Sequence, residues 1–264
     1  MLKDELREYM PILGFKRPEQ IEKDYLQELV LRNLFAEVPS SGLIFRGGTA
    51  LSKIFGSGRF SDDLDFVTGV ASDTDSILNG VEAGVKAMDA LFDTSYSFEK
   101  YKDMAEYTIK ISGPLYVSSK NDSARQTLYI DINTYEKNVL GPKSVLRLPV
   151  YKEIRPYTLI VEQIEELLVD KIHAFLHRKK EVARDVYDIW VILTKPYGLE
   201  SVKIKEVAEA RNMKNLDFHA IGVKLDKLKK TWSDEIESLI GVKIKYEDVK
   251  RAVLTGLSKY FVGG

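Results

Sequence analysis

The stretch IFRGGTALSKIFGSGRFSDDLDFV, residues 44–67, decides the fold. SGLIFRGG reads as a turn, a short apolar strand and a glycine stop. TALSKIFG reads as a short helix closed by Gly56, and DLDFV as a second strand. Asp62, Asp63 and Asp65 stand directly against Leu64, Phe66 and Val67. Acids are depleted from strands, and a buried carboxylate needs a partner or a metal. Asp63 and Asp65 are two residues apart, so an extended chain sends both carboxylates to one face, about 6.5–7 Å apart, and Asp62 to the other.

Working outward, residues 18–35, PEQIEKDYLQELVLRNLF, predict an amphipathic helix with Ile21, Tyr25 and Leu29 at helical spacing and Pro18 in the first turn. DTDSILNGVEAGVKAMDALF predicts a helix with a glycine-weakened interior. EYTIKIS, TLYIDINT and YTLIV predict strands. In TLYIDINT, Leu128, Ile130 and Ile132 share one face, and Tyr129, Asp131 and Asn133 the other. After residue 161 the texture turns helical: EQIEELLVDKIHAFLHR and ARDVYDIWVILT are amphipathic, KPYG breaks the chain, and further helices follow over 201–262. The organisation expected is an α/β half over residues 1–160 that carries the acids, then a helical half over 161–264.

Two carboxylates on one strand face can hold Mg²⁺, an oxygen-seeking ion that keeps substrate phosphates among its ligands. Asp131, mid-strand on the face opposite two isoleucines, is the third acid that completes a two-metal site with Asp63 and Asp65; Mn²⁺ suits the same oxygens. Gly47 and Gly48 follow a strand and open a helix, which exposes backbone N–H groups as a phosphate cradle with Thr49. Arg59, four residues before Asp63, is expected to hold a phosphate or to neutralise the acids. A lone D-x-D is more often a solvated edge; the preceding glycines, the interleaved apolar residues and Asp131 favour a metal site here.

Composition narrows the class. The chain has 264 residues, 44% hydrophobic and 30% charged, enough for one large domain or two modest ones. There is no cysteine, which excludes disulfides and thiolate metal sites and fits a cytoplasmic protein. No apolar run reaches membrane length, and MLKDELREYM lacks the apolar block of a signal peptide. A net charge of −1 gives no general attraction to nucleic acid, so such contact needs a local basic face. VKLDKLKKTW at 223–232 and GVKIKYEDVKR at 241–251 are the candidate segments, although solvated lysines are the commoner outcome. His173, His177 and Asp170 imitate a zinc site, but a plain helix surface is the better reading. Trp190 and Trp232 read as core.

Four motifs in order resemble the minimal nucleotidyltransferases of the AbiEii/AbiGii toxin group, which includes the MenT-type toxins. They are EKDYL at 22–26, RGGTALSKIFGSGRFSDDLDF at 46–66, EELLVDKIHA at 165–174 and RKKEVARDVYD at 178–188. The resemblance implies an α/β (α+β) polymerase-β-like nucleotidyltransferase fold, a mixed sheet with a C-terminal helical domain. It implies transfer of a nucleoside monophosphate from an NTP to an acceptor, with the 3′ end of tRNA as the expected acceptor, and an antitoxin encoded nearby. It assigns Lys171 and Arg178 to gripping the triphosphate, or Lys171 to acting as a base. Asp185 and Asp188 would position Lys171 or the nucleotide, although Arg184 and Asp188 also suit a plain i,i+4 ion pair. Glu165 is turned away from Lys171 and is expected to cap its own turn. Where the family often has Gly-Ser this chain has Gly47-Gly48, which moves a hydroxyl contact to Thr49 or removes it. Ser61 is a candidate silencing point for a kinase-type antitoxin, because a phosphate there adds about −1.5 to −2 charges beside the metal site. The alternatives are a protein or aminoglycoside-like acceptor, and an inactive RNA- or partner-binding module.

Overall fold

A computed structural model describes residues 3–38, 42–69, 73–117 and 125–261. The chain divides into two compact units: residues 1–138 with 142–162, and residues 139–141 with 163–264.

The first unit opens with α1 (Lys3–Glu8), α2 (Met10–Leu13) and α3 (Pro18–Glu37). β1 (Leu43–Arg46), α4 (Gly47–Lys53), β2 (Leu64–Thr68) and α5 (Thr74–Lys86) follow. β3 (Thr94–Lys100), β4 (Met104–Ile111), β5 (Gln126–Asn133), β6 (Lys143–Arg147) and β7 (Tyr157–Val161) complete it. The strands form one mixed sheet in the order β3-β4-β5-β2-β1-β7-β6. Leu64, Phe66, Tyr107, Ile109, Leu128, Ile130 and Ile132 are buried together with residues of α3 and α5. That packing leaves the alternate strand positions to the opposite face. The glycines of α5 have a packing reason: a side chain at Gly84 would meet the Leu34 backbone, and one at Gly80 the Val38 backbone.

α3 is not the half-solvated helix its sequence suggests. Its polar residues Gln20, Glu22, Asp24, Gln27, Glu28 and Asn33 are buried along with the apolar ones. Lys53 at the end of α4 reaches Asp24 at 2.5 Å and Glu28 at 3.2 Å. Arg147 of β6 reaches Glu28 at 2.7 Å and bonds the Lys53 carbonyl at 2.7 Å. The Tyr157 hydroxyl donates to Glu28 and the Tyr151 hydroxyl to Asp24, each at 2.8 Å. Burial alone would raise the Glu28 carboxyl; Lys53, Arg147 and Tyr157 outweigh it and hold it down to about 2.

The second unit is helical: α6 (Ile164–His177), α7 (Ala183–Thr194), α8 (Ser201–Ala210), α9 (Phe218–Leu228), α10 (Trp232–Ile240) and α11 (Tyr246–Phe261). Val139 and Leu140 donate their N–H groups to Glu166 of α6 at 2.8 and 3.1 Å. Gln163 donates to the Leu140 and Gly141 carbonyls. Among the described residues no helix is long and apolar enough to cross a membrane.

Candidate active site

The acids line up across the sheet. Asp65 of β2 is the direct partner of Asp131 on the parallel strand β5. Asp131 in turn opposes Glu106 of β4, and Arg46 of β1 opposes Asp65. Directly paired residues point to one face, and Glu106 in turn opposes Glu99 of β3, so Arg46, Asp65, Asp131, Glu106 and Glu99 form a row of one cation and four carboxylates. Asp63 is the last residue before β2. Burial pushes the Asp131 carboxyl up to about 6, helped by the charges of Asp65, Glu106 and Asp63. Glu106 is the member that sequence reading missed. Alternation in β4 places it on a polar face, but nothing local names its partner strand.

Arg46 is held at 2.8 Å by Glu136, which lies beyond β5 and takes an N–H from Asn133 at 3.3 Å. Asp62 points away from the row, to Lys23 of α3 at 2.9 Å. Gln27 of α3 donates to the carbonyls of Ser61 and Asp62, at 3.0 and 2.9 Å. Lys23 of EKDYL and Gln27, just beyond that motif, therefore tie the acid-bearing loop to α3.

The glycine turn fits against this row. Gly47 has φ +75°, and a side chain there would overlap the Asp65 carboxylate. A side chain on Gly48 would overlap the Arg59 guanidinium and crowd the Ser61 hydroxyl. Both glycines are thus required by the chain's own neighbours. Two expectations are corrected here. Thr49 is 1% exposed, and its hydroxyl donates to the Asp63 carbonyl at 2.5 Å; its side chain pins the start of β2 and does not line a phosphate site. Arg59 is 3% exposed and donates to the Phe60 carbonyl at 3.1 Å; its guanidinium lies behind Gly48, which disfavours the phosphate role and leaves the role of neutralising the acids standing. Ser61 is half-buried beside Gly48, and because β2 starts at Leu64 it lies outside the strand.

In the second unit, Lys171 of α6 pairs with Asp188 of α7 at 2.8 Å, and the Asp188 side chain is fully buried. Arg178 pairs with Asp185 at 2.9 Å. α6 ends at His177 and Arg178 is extended, so Arg178 does not continue the helix face of Lys171. Glu165 accepts the N–H of Glu200 ahead of α8 at 3.3 Å instead of capping its own turn. Asp170 and Glu166 are both held by Arg211, and His177 Nδ1 contacts the His173 carbonyl at 2.9 Å, an arrangement that serves the helix and not a zinc ion. Trp232 is buried, its indole N–H on the Ile244 carbonyl at 2.8 Å, whereas Trp190 is only half-buried. The basic segments are largely neutralised: Lys227 is on Glu181, Lys229 on Glu247, Lys250 on Asp226 and Arg251 on Asp248. That is the commoner outcome for such lysines, a solvated and ion-paired surface.

Residues 29–253 match the model of a family described as nucleotidyl transferase AbiEii toxin, type IV TA system. No curated protein matches. Among solved structures, MenT4, a nucleotidyltransferase toxin from Mycobacterium tuberculosis H37Rv, is similar with a TM-score of 0.66 and 16% identity, over 100% of this chain and 91% of that one. JHP933 from Helicobacter pylori is similar with a TM-score of 0.57 and 16% identity, over 92% of this chain and 91% of that one.

Proposed function

Because the chain belongs to the nucleotidyl transferase AbiEii toxin family, we propose that it transfers a nucleoside monophosphate from an NTP to the 3′ end of tRNA, with divalent metal, as the toxin of a toxin–antitoxin pair. The observation that carries this reading is the pairing of Asp65 with Asp131 across two parallel strands, with Gly47 packed against the Asp65 carboxylate. The chemistry of the set fits a metal: burial and the neighbouring charges of Asp65, Glu106 and Asp63 raise the proton affinity of the half-buried Asp131 carboxyl, and a divalent cation relieves that repulsion. When bound, Mg²⁺ or Mn²⁺ supplies charge neutralisation on the triphosphate and lowers the pKa of the acceptor hydroxyl.

In this reading Asp63, Asp65 and Asp131 hold the metal, and the backbone of Gly47 and Gly48 meets the phosphates. The acceptor hydroxyl passes its proton to solvent as its oxygen attacks the α-phosphorus, the bond from that phosphorus to the bridging oxygen breaks, and pyrophosphate leaves. Lys171 and Arg178 contribute positive charge toward the nucleotide, each oriented by a buried carboxylate, Asp188 and Asp185. The nearby-encoded antitoxin and a cytoplasmic setting belong to the same proposal.

The test is incubation of the purified chain with each labelled NTP and separate pools of tRNA, protein and aminoglycoside, with Mg²⁺ and with EDTA. Label on the tRNA 3′ end, lost in EDTA, is the expected result. Label on protein or drug alone would replace the acceptor; no label in any pool, with no binding of Mg²⁺-NTP, would leave an inactive binding module.

A further inference from the structure

The polar face of β5 and β4 continues past the catalytic row. Tyr129 stands two residues from Asp131 on the same strand face, about 6.5–7 Å along the strand. It is 45% exposed in mid-strand, and its ring and hydroxyl have no partner among the described residues. Thr108 of β4 is its direct neighbour, and Ser97 of β3 lies beyond Thr108. One row further, Lys110 faces Thr127 and Ser95. Lys110 is exposed and has no acid partner among the described residues. Arg125 bounds the patch, donating to Ser95 at 3.2 Å and to Ser112 at 3.0 Å.

From the row of carboxylates outward, the face therefore presents an exposed aromatic ring, then hydroxyls, then an ammonium with no acid partner among the described residues. Building on the nucleic-acid acceptor reading above, we propose that this face is the track for the single-stranded 3′ end of the acceptor RNA. Tyr129 stacks a base next to the reacting end, and Lys110 meets the phosphate behind it. The side of approach follows from the sheet order. The glycine turn lies against Asp65, toward β1, and that is where the triphosphate belongs. Tyr129 is on β5, on the side away from β1, so its base belongs to the acceptor and not to the NTP. An aromatic face with hydroxyls, with Lys110 and the Asp93-paired Arg125 at its outer end, suits a single strand read by stacking and charge, since every base has a stacking face. Glu106 and its β3 partner Glu99 lie in the row of Asp131 itself, where the proposed metal offsets the charge of Glu106, and Lys110 is two rows away from both.

The experiment uses the full chain and two ligands measured separately. One is a fluorescein-labelled single-stranded oligoribonucleotide with a free 3′ hydroxyl, followed by anisotropy. The other is each NTP with Mg²⁺, followed by calorimetry. Tyr129→Ala should weaken the oligoribonucleotide by about tenfold or more and leave NTP affinity as in the wild type. Tyr129→Phe, which keeps the ring, should restore RNA binding. Lys110→Ala should lower the salt dependence of RNA binding by about one unit of slope. Tyr129 is exposed, so a matching melting curve for Tyr129→Ala is expected and is checked alongside. Wild-type RNA affinity in Tyr129→Ala would overturn the track while leaving the transfer reading intact. Loss of NTP affinity equal to the loss of RNA affinity would assign the ring to the incoming nucleotide and overturn the track as well. A wild-type chain that binds Mg²⁺-NTP but no RNA would instead overturn the RNA acceptor itself, and the track with it.

Discussion

At the scale of single residues, the acids among apolar neighbours are explained by the sheet: Leu64 and Phe66 are buried in the core, and Asp65 lies on the other face beside Asp131. Asp65→Asn and Asp131→Asn are each expected to lower transfer by orders of magnitude, while Asp62→Asn, exposed and on Lys23, should change it little. Comparable loss in Asp62→Asn would refute the assignment of faces. Stability gives an independent check. The Asp131 carboxyl sits near 6 in the fold against an ordinary 3.8, so its ionised form opposes folding. That cost is absent below about pH 4, grows as pH rises, and is complete above about pH 6. Solvent screens this half-exposed group, so Asp131→Asn should stabilise the metal-free protein by only about 1 kcal/mol at pH 8. That corresponds to about 2–4 °C in a melt with EDTA, and the gain should vanish at pH 4. At Ser61 the crowding against Gly48 has its own consequence: a charge there would lie over the glycine turn. Ser61→Glu is expected to weaken NTP binding at least tenfold (about 1.4 kcal/mol); unaltered binding by calorimetry would remove Ser61 as a silencing point.

At the scale of elements, alternation made β2 and β5 legible, because each has a continuous apolar face set against acids. What stayed hidden was register: the pairing of Asp65 with Asp131 joins residues far apart in sequence, and no local pattern encodes it. TSYSFEK and KSVLR escaped notice for another reason. They are the two edge strands, β3 and β6, and edges lack the buried face that betrays a strand. α3 misled in the opposite way, since its charges look solvated yet lie in the ion cluster with Lys53 and Arg147. Lys53→Met should therefore cost about 3–5 kcal/mol, because it leaves Asp24 and Glu28 buried with one cation fewer. Glu28, held down to about 2 from 4.5, contributes stability that is complete above about pH 4.5 and is lost as pH falls toward 2. Acid titration followed by circular dichroism should show the variant unfolding at higher pH than the wild type. Lys171 admits a similar separation of roles. Lys171→Ala should reduce both transfer and melting temperature, since Asp188 is fully buried; adding Asp188→Asn should recover the melting temperature but not transfer. Recovery of transfer in the double variant would make Lys171 purely structural.

At the scale of the whole molecule, the change from α/β to helical texture was visible in the sequence, and the motifs themselves identified the family. The loan of Val139–Gly141 to the second unit was not visible, because three residues carry no pattern. The N–H groups of Val139 and Leu140 satisfy Glu166, which is fully buried. Residues 163–264 produced alone are expected to melt less cooperatively than the same helices in the full chain, measured by circular dichroism; an identical transition would show that the segment is dispensable. The arrangement also bears on inheritance. The boundary between the units is crossed at 138/139, 141/142 and 162/163, so one genetic crossover near the middle of the gene cannot graft a relative's helical half onto this catalytic half intact. The borrowed turn would stay behind with the wrong partner. Exchange between diverged toxins should therefore favour whole genes, and specificity should shift by substitution within a unit more readily than by shuffling of halves.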